Sequence, residues 1–446
     1  MLASRPNVPS ILPHPSAPAT LEEAGLSLDL VIQLVLKTLH FTGELTGSEL
    51  AGRLGLRFSV IDPALQMVKS QHQVEVAGGA MVGGPSYRYR ITDAGRTRAQ
   101  LFLETNHYVG AAPVPLAQYK RYMAEYKAKA PHTATRERVR QAFAHLVISD
   151  RVMDQLGPAI NAGHSMFVYG PPGNGKTVIS QAIQKLLDGD LHIPYALEVE
   201  GAIIRLFDPV THEELSSGEP GVGLDKGIDV DRRWIRCRRP MVMVGGELTL
   251  EALELSFNAS AGFYKAPVQA LANGGVLVID DFGRQRVAPR DLLNRWIVPL
   301  ESRVDFLTLN SGQKFELPFM TLVSFATNIK PQELVDEAFL RRIHYKVLCE
   351  SPSYEDYIVI FRNYCHLKGI AFKRDLVEDL LDNYYKPRDI PLRGCHPRDL
   401  IEQSLSLAEY LAEPAELTPQ LVRAACDSYF VDETTEEMST LQPPTR

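Results

Sequence analysis

The chain has 446 residues, of which 45% are hydrophobic and 23% are charged, so its composition is that of a globular protein of about two to four domains. Its 47 Lys and Arg residues against 54 Asp and Glu residues give a net charge of −7, which excludes a global basic field for nucleic acid. Five cysteines without a C-x-x-C pair argue against a zinc or redox centre and favour a reducing compartment.

The first 24 residues are rich in Pro, Ser and Ala, which predicts a flexible arm. The prolines interrupt any apolar region of a secretory signal, and no stretch of about 18 apolar residues follows. The sequence therefore predicts a cytoplasmic protein without a membrane partner.

Residues 25–106 are predicted to form a small α+β domain. Apolar residues recur at helical spacing from about Leu28, residues 47–54 (GSELAGRL) form a second short helix, and a third runs from about Val60 to Ser70. Extended runs at 74–77 and 87–91 enclose a tip with Gly78, Gly79, Gly83 and Gly84. This order resembles the winged helix-turn-helix family. The segment carries eight basic and seven acidic residues, so the sequence favours protein docking over duplex binding.

Residues 107–136 are predicted to be a linker. Prolines at 113 and 115 precede a charged helix near Ala117 to Ala130, and Pro131 ends it. A solvated amphipathic helix is the favoured interpretation.

A phosphate-binding loop follows a short apolar strand at Met166 to Tyr169. The sequence GPPGNGKT fits G-x-x-x-x-G-K-[ST] in a strand-loop-helix context. Glycines let backbone N–H groups surround phosphates, Lys176 reaches the outer phosphates, and the Thr177 hydroxyl ligates Mg²⁺. The predicted nucleotide-binding residues are Gly170, Pro171, Pro172, Gly173, Asn174, Gly175, Lys176, Thr177 and Val178.

Two carboxylates stand at the end of a second apolar run, Val276 to Ile279, which is typical of a buried parallel strand. Asp280 is predicted to hold Mg²⁺ together with Thr177. Asp281 is predicted to polarise the attacking water. It is one methylene shorter than a glutamate, which makes a slow nucleotide switch a further hypothesis.

Polar residues after later elements complete the predicted site. Asn328 follows a β-prone run from Thr321 to Ala326 and is predicted to orient the attacking water. Arg341 and Arg342 follow a short helix and are predicted to reach a neighbouring subunit's nucleotide. Arg398, in GCHPRDL, begins a later helix and is predicted to contact the nucleotide from a helical lid.

In this order the motifs resemble those of the AAA+ ATPases over residues 137–430. The resemblance implies an α/β fold, a P-loop NTPase parallel sheet at 137–350 with a helical lid at 351–431, preceded by the small α+β winged-helix domain and followed by a flexible tail at 432–446. The segment around the second strand is similar to the MoxR-like branch, with Gly262, Pro267 and Arg284 at matching positions. Gly283 replaces an Asn and Asp281 replaces a Glu.

The resemblance implies ATP and Mg²⁺ as cofactors and a homo-hexameric ring that hydrolyses ATP to remodel or assemble a protein complex. The alternative is a nucleic-acid-directed AAA+ ATPase that assists transposition or replication, and the slow switch is the weaker alternative. Nucleic acid is the less favoured partner.

Two further features are left with alternatives. Five arginines surround Trp234 at positions 232, 233, 236, 238 and 239, and they indicate single-stranded nucleic acid, an acidic protein surface, or a charged edge strand. Phe263 and Tyr264 indicate either an aromatic pore loop or a packed core pair.

Overall fold

The computed structural model describes residues 10–77, 83–130, 134–215, 230–335 and 337–430. In chain order, a small unit of helices and short strands precedes an α/β region with a five-stranded parallel sheet, and a helical region follows. None of the helices in these ranges is long and apolar enough to cross a membrane.

The small unit contains the three predicted helices and a three-stranded antiparallel sheet of order β1-β3-β2. Ser27 caps α2, and a reciprocal capping box between Thr46 and Glu49 begins α3. The sequence did not predict the strand β1, and positions 78–82 of the predicted tip lie outside the described residues. The elements are α1 (Leu21–Ala24), α2 (Leu28–Thr42), β1 (Glu44–Thr46), α3 (Gly47–Leu54), α4 (Phe58–Ser70), β2 (Val74–Val76), β3 (Arg88–Ile91) and α5 (Asp93–Thr105).

Residues 10–24 are packed on the protein, so the flexible arm predicted for residues 1–24 is wrong over this range. Leu12 is buried, and the backbone N–H of Ile11 donates to Oδ1 of Asp190 at 2.8 Å. Ser16 forms an isolated β-bridge with Val230. Composition predicted the arm because prolines disfavour helices and strands, yet an extended, proline-rich segment can still lie in a groove of the core.

The linker region holds strand β4 (Val114–Pro115) and helix α6 (Leu116–Lys129), which confirms the predicted helix. The helix is not a solvated linker. Tyr119, Tyr122, Met123 and Tyr126 are buried on one face, and the ring of Tyr122 lies 4.9 Å from that of Trp234. The tyrosines therefore belong to a core, and only the opposite, charged face of the helix is solvated.

The parallel sheet has the order β10-β13-β16-β5-β17. Strands β13 and β16 are buried along their whole length, as the apolar runs predicted. The first part of this region contains α7 (Arg136–Ala142), α8 (Asp150–Ala162), β5 (Met166–Tyr169), α9 (Lys176–Leu186), β6 (Asp190–Pro194), β7 (Ala196–Val199), β8 (Ala202–Arg205), β9 (Trp234–Arg238), β10 (Met241–Val244), β11 (Ser256–Asn258), β12 (Phe263–Lys265), α10 (Val268–Leu271) and β13 (Val276–Ile279).

The second part of the region completes the sheet. Strands β10 and β17, at its two edges, were not predicted from the sequence. The elements are α11 (Pro289–Ser302), β14 (Val304–Thr308), β15 (Lys314–Pro318), β16 (Leu322–Thr327), α12 (Pro331–Leu334), α13 (Glu337–Leu340) and β17 (Tyr345–Leu348).

A second five-stranded sheet of order β11-β12-β8-β7-β4 is built from the chain between α9 and β13 together with the linker strand. The buried side chains of Ala196 on β7 and Ile203 on β8 join the core of the small N-terminal unit. Strands β6 and β9 pair antiparallel beside it. The chain inserted between the two nucleotide motifs therefore packs against the N-terminal unit and contributes to its core.

The helical region begins after β17. Ser353 and Asp356 form a capping box at the start of its first helix, and a core that includes Tyr357, Phe361 and Tyr385 holds the helices together. Four α-helices were predicted here, and four are found within residues 351–430. They are α14 (Tyr354–Lys368), α15 (Arg374–Leu380), α16 (His396–Tyr410) and α17 (Pro419–Tyr429).

Candidate nucleotide-binding site

The loop between β5 and α9 has a backbone that requires glycine. Gly170, Gly173 and Gly175 have φ values of 143°, 77° and 75°. A Cβ on Gly170 would lie 2.2 Å from the carbonyl oxygen of Cys349, so the chain after β17 closes against the loop. The glycine spacing read from the sequence thus corresponds to one strand-loop-helix turn, as the phosphate-loop motif requires.

Lys176 begins α9 and is buried, and its ammonium lies against the loop that precedes it. Nζ donates to the carbonyl oxygens of Gly170 at 3.0 Å and Pro171 at 2.9 Å. Burial lowers the pKa of Lys176, while the carboxylates of Asp281 and Asp280 act in the opposite direction. An ammonium group that is partly desolvated and hydrogen-bonded to neutral carbonyls is stabilised when an anion binds beside it. A phosphate group is such an anion.

Thr177 and Asp280 meet although they lie far apart in the sequence. The Thr177 hydroxyl lies 3.0 Å from Oδ1 and 2.9 Å from Oδ2 of Asp280. A hydroxyl and a carboxylate are hard oxygen ligands of the kind that Mg²⁺ binds when phosphates and water supply the rest of the shell. The described residues hold no cluster of three His, Cys, Asp or Glu side chains arranged for a metal. The donor set therefore fits Mg²⁺ bound together with a nucleotide.

Asp281 and Asn328 lie next to this pair, where β13 and β16 end. Nδ2 of Asn328 donates to Oδ1 of Asp281 at 3.2 Å, and the backbone N–H of Asp281 donates to Oδ1 of Asp280 at 3.0 Å. Asp281 is exposed and has a left-handed backbone with φ 48°. The structure brings the two predicted water-handling residues together, with the Asp281 carboxylate facing solvent.

Gln285 is a residue of this site that the sequence analysis missed. Its Nε2 donates to the backbone carbonyls of Asp280 at 2.9 Å and Asp281 at 3.2 Å, and its Oε1 accepts from the N–H of Gly283. The amide therefore holds the turn that presents both carboxylates. A glutamine a few residues after an acidic pair carries no distinctive sequence signal.

Arg398 lies in the first turn of α16, as predicted, but its side chain is exposed and pairs with Asp399 at 2.8 Å. Arg393, in the loop before that helix, is half-buried and lies beside the phosphate loop, since a Cβ on Gly173 would lie 3.5 Å from Cβ of Arg393. Arg393 is not among the site residues predicted from the sequence.

Arg341 and Arg342 follow α13. Arg341 is highly exposed and pairs with Glu337 one helical turn earlier, and Arg342 pairs with Glu301 at the end of α11. Neither ion pair includes a residue of the group around Asp280.

The arginine cluster on and beside β9 is largely neutralised by acidic side chains. Arg233 is buried and bonds to Asp231 through Nε and Nη2. Arg236 pairs with the buried Asp190. Two further arginines have partners, Arg238 with Glu213 and Arg239 with the carbonyl of Gly274. Three of the five arginines are thus paired with acids that local sequence patterns do not reveal, while Arg232 is exposed.

Phe263 and Tyr264 form strand β12, so the pore-loop alternative is wrong and the core alternative is confirmed. Tyr264 is buried, and its hydroxyl accepts from the backbone N–H of Asn310 at 2.8 Å. The ring of Phe263 lies edge-on to that of Tyr108 at 5.9 Å.

The N-terminal unit also uses its basic residues internally. Arg88 and Arg90 on β3 both pair with Glu44. A Cβ on Gly55, in the turn before α4, would lie 2.8 Å from the backbone of Arg232, so this turn packs directly against the chain that leads into β9. The turn before α4 therefore packs on the protein's own core, while Phe58 at the start of the helix is half-buried and Ser59 is exposed.

The comparisons with known proteins give distant likenesses. A family model described as a domain of unknown function (DUF8689) matches residues 353–428, and no curated protein matches the chain. The RuvB Holliday junction branch migration motor of Thermotoga maritima matches with a TM-score of 0.36 and 13% identity over 64% of this chain and 70% of that chain. NtrX from Brucella abortus in complex with ADP matches with a TM-score of 0.39 and 14% identity over 78% of this chain and 69% of that chain. Likenesses this distant assign no function to the chain.

Proposed function

We propose that the protein is a magnesium-dependent ATPase of the AAA+ type that works as a ring, favoured to be a hexamer, and remodels or assembles a protein complex in the cytoplasm. One observation carries the ATPase proposal: five polar residues lie together where the inner strands of the parallel sheet end. They are Lys176, Thr177, Asp280, Asp281 and Asn328. Three separate segments of the sequence supply these residues, so a structural turn alone does not account for them.

Each residue has a role that follows from its chemistry. The loop N–H groups and Lys176 bind the phosphates, and Thr177 with Asp280 holds Mg²⁺, which neutralises phosphate charge when bound. Asp281 accepts a proton from the attacking water, and Asn328, already hydrogen-bonded to Asp281, orients that water. We propose Arg393 as the nucleotide contact of the helical region in place of Arg398, because Arg393 lies beside Gly173 of the phosphate loop and Arg398 pairs with Asp399.

The ring proposal depends on Arg341 and Arg342. Arg341 is exposed beside an exposed partner, so a neighbouring subunit's phosphate can replace Glu337 at small cost. An arginine supplied in trans increases phosphoryl-transfer rates by about 10³–10⁵ in well-studied systems. The MoxR-like assignment within the AAA+ type rests only on the residues around Pro267 and Arg284 and is part of the proposal.

A protein client is better supported than nucleic acid. Basic side chains on β3, on β9 and directly before β9 are bound to Glu44, Asp190 and Asp231, which leaves less charge for phosphates. Helix-turn-helix proteins insert the start of their second helix into the major groove, and here the turn before α4 packs on the core.

The test measures ATP binding and turnover for the wild type, Lys176→Ala and Asp281→Asn. We expect Lys176→Ala to lose binding, and Asp281→Asn to retain binding while kcat falls by about 10²–10⁴. Asp291→Asn, an exposed carboxylate on α11, is the matched control and should leave both quantities unchanged. Proteins captured by Asp281→Asn with ATP identify the client.

Other outcomes separate the alternatives. Turnover that rises with DNA and falls steeply with salt supports a nucleic-acid-directed ATPase. Tight ATP binding without turnover supports the slow switch. A wild type that binds no ATP contradicts the whole proposal.

The ring proposal has its own test. Arg341→Ala/Arg342→Ala should abolish turnover, and mixing this variant with Lys176→Ala should restore part of it. In mixed rings, one variant supplies an intact phosphate loop and the other supplies the arginines.

A further inference from the structure

Asn174 in the phosphate-binding loop joins three separate parts of the chain. Its Oδ1 accepts from the backbone N–H of Gly394, in the loop before α16, at 3.1 Å. Its Nδ2 donates to Oγ of Ser351, in the segment between β17 and α14, at 3.3 Å. These partners lie 220 and 177 residues away in the sequence, so both contacts are products of the tertiary fold.

A second contact holds the same two loops together. The backbone N–H of Cys395 donates to the carbonyl oxygen of Gly173 at 2.8 Å. A Cβ on Gly173 would lie 2.6 Å from Sγ of Cys395, so the two loops are in van der Waals contact. The loop before α16 is therefore hydrogen-bonded to two consecutive residues of the phosphate loop.

The segment that leads to the helical region also contacts the loop. The carbonyl of Cys349 packs on Gly170, and Ser351, two residues later, bonds to Asn174. Ser351 marks the point at which the chain leaves the parallel sheet. The phosphate loop thus contacts the segment after β17 at its first residue, Gly170. At its centre, Gly173 and Asn174 contact the helical region.

We propose that Asn174 is a positioning residue that couples the nucleotide state of the loop to the orientation of the helical region at 351–430. The inference rests on the proposed nucleotide binding. Phosphates engage the N–H groups of such a loop, and any shift of its backbone changes the two amide contacts of Asn174. Hydrogen bonds weaken steeply when distance or angle departs from the favoured range, so small shifts suffice to favour another orientation.

The side-chain chemistry suits this role. A carboxamide offers an acceptor and a donor on one plane, and here each is used toward a different element. An aspartate at the same position keeps the acceptor for Gly394 and loses the donor for Ser351. Asn174→Asp, Asn174→Ala and Ser351→Ala therefore separate the two contacts.

The test is amide hydrogen exchange at residues 393–396, measured on the full chain without nucleotide, with Mg²⁺-ADP, and with a non-hydrolysable ATP analogue. Binding is measured separately for each variant, and nucleotide is added at saturation, because Asn174 is part of the binding loop. In the wild type we expect exchange at Gly394 and Cys395 to differ between the nucleotide states. In Asn174→Ala we expect exchange at Gly394 to rise about fivefold without nucleotide, the factor of one lost hydrogen bond, and the difference between states to disappear.

Asn363→Ala is the matched control, since Asn363 is exposed on α14 of the same helical region. It should leave the exchange pattern of the wild type unchanged. Asn174→Asp should keep the protection of Gly394, and both it and Ser351→Ala should weaken the response to nucleotide, which keeps the test informative if Asn174→Ala does not fold.

The outcomes are distinct. A wild type that binds nucleotide without any change at residues 393–396 overturns the coupling and leaves the proposed function standing. An equal response in the wild type and Asn174→Ala overturns the role of Asn174. A wild type that binds no nucleotide overturns both the proposed function and the coupling that rests on it.

Discussion

The hydroxyl of Thr177 lies within 3.0 Å of both carboxylate oxygens of Asp280, although the two residues are 103 positions apart. The contact joins the first turn of α9 to the end of β13. The contact forms because β16 lies between β13 and β5 in the sheet. The first turn of α9, which follows β5, reaches across the end of β16 to the end of β13. The sheet order thereby brings together the hydroxyl and the carboxylate that would hold Mg²⁺ in the proposed site.

Thr177→Val should raise the Mg²⁺ requirement of ATP turnover. Valine keeps the branched shape at the start of α9 and removes the hydroxyl ligand, so the Mg²⁺ concentration for half-maximal turnover should rise by about tenfold or more, about 1.4 kcal/mol of binding free energy. A Mg²⁺ titration of turnover measures this. Thr97→Val, at an exposed position of α5, is the control, and an unchanged requirement in Thr177→Val would exclude Thr177 as a ligand.

Arg393→Ala should weaken ATP binding more than Arg398→Ala. Arg393 is half-buried beside Gly173 of the phosphate loop, so removing its charge should lower ATP affinity by about tenfold. Arg398 is exposed and paired with Asp399, and its removal should change affinity by less than about threefold. Titration with a fluorescent ATP analogue measures both. The reverse order would restore Arg398 as the nucleotide contact.

Asp231→Asn should destabilise the protein strongly. It leaves the buried guanidinium of Arg233 without its carboxylate, and such losses lower the free energy of unfolding by about 3–5 kcal/mol. Glu213→Gln, which breaks the more exposed pair with Arg238, should cost less than about 1 kcal/mol. Denaturant unfolding measures both values. Equal effects would mean that the buried pair does not hold the arginine cluster in place.

The stability of the helical region should fall as the pH decreases from about 6.5 toward 4. Burial lowers the pKa of His396 to about 4, with Arg393 acting in the same direction. In this window the unfolded chain binds a proton that folded His396 does not, so acid favours unfolding, by about 1–3 kcal/mol for this group. His396→Asn keeps an acceptor for Tyr385 and should reduce the pH slope of unfolding relative to the wild type. Since burial also lowers the pKa of His192 to about 4, some slope should persist. An identical slope in the variant would contradict the assignment.

The nucleotide motifs were predictable because their signal is local. Val276 to Ile279 and Met166 to Tyr169 are strands buried in a parallel sheet. Such strands require continuous apolar runs, and the sequence shows them directly. The edge strand Tyr345–Leu348 is half-buried and lacks such a run, whereas the edge strand Met241–Val244 is half-buried but apolar throughout. Local patterns predicted the inner strands of the sheet, and the two edge strands were not predicted.

Arg393 and the arginine cluster show the complementary limit. Arg393 lies beside the phosphate loop only because a distant loop folds back onto it. The charge of Arg236 is cancelled by Asp190, 46 residues earlier, through the pairing of β6 with β9. Charge read along the chain therefore overestimated the cationic surface and missed a cation at the site.

The packing of residues 10–24 has a consequence for protein synthesis. Ile11 bonds to Asp190, 179 positions later, and the carbonyl of Ala24 accepts from Arg233, 209 positions later. At about 5–20 residues per second, a ribosome needs roughly 10–40 s between making the first and second member of the latter pair. Ile11 and Ser16 can therefore reach their partners only after β6 and the chain that leads into β9 have been made, whereas Ala24 also packs in the core of the small N-terminal unit.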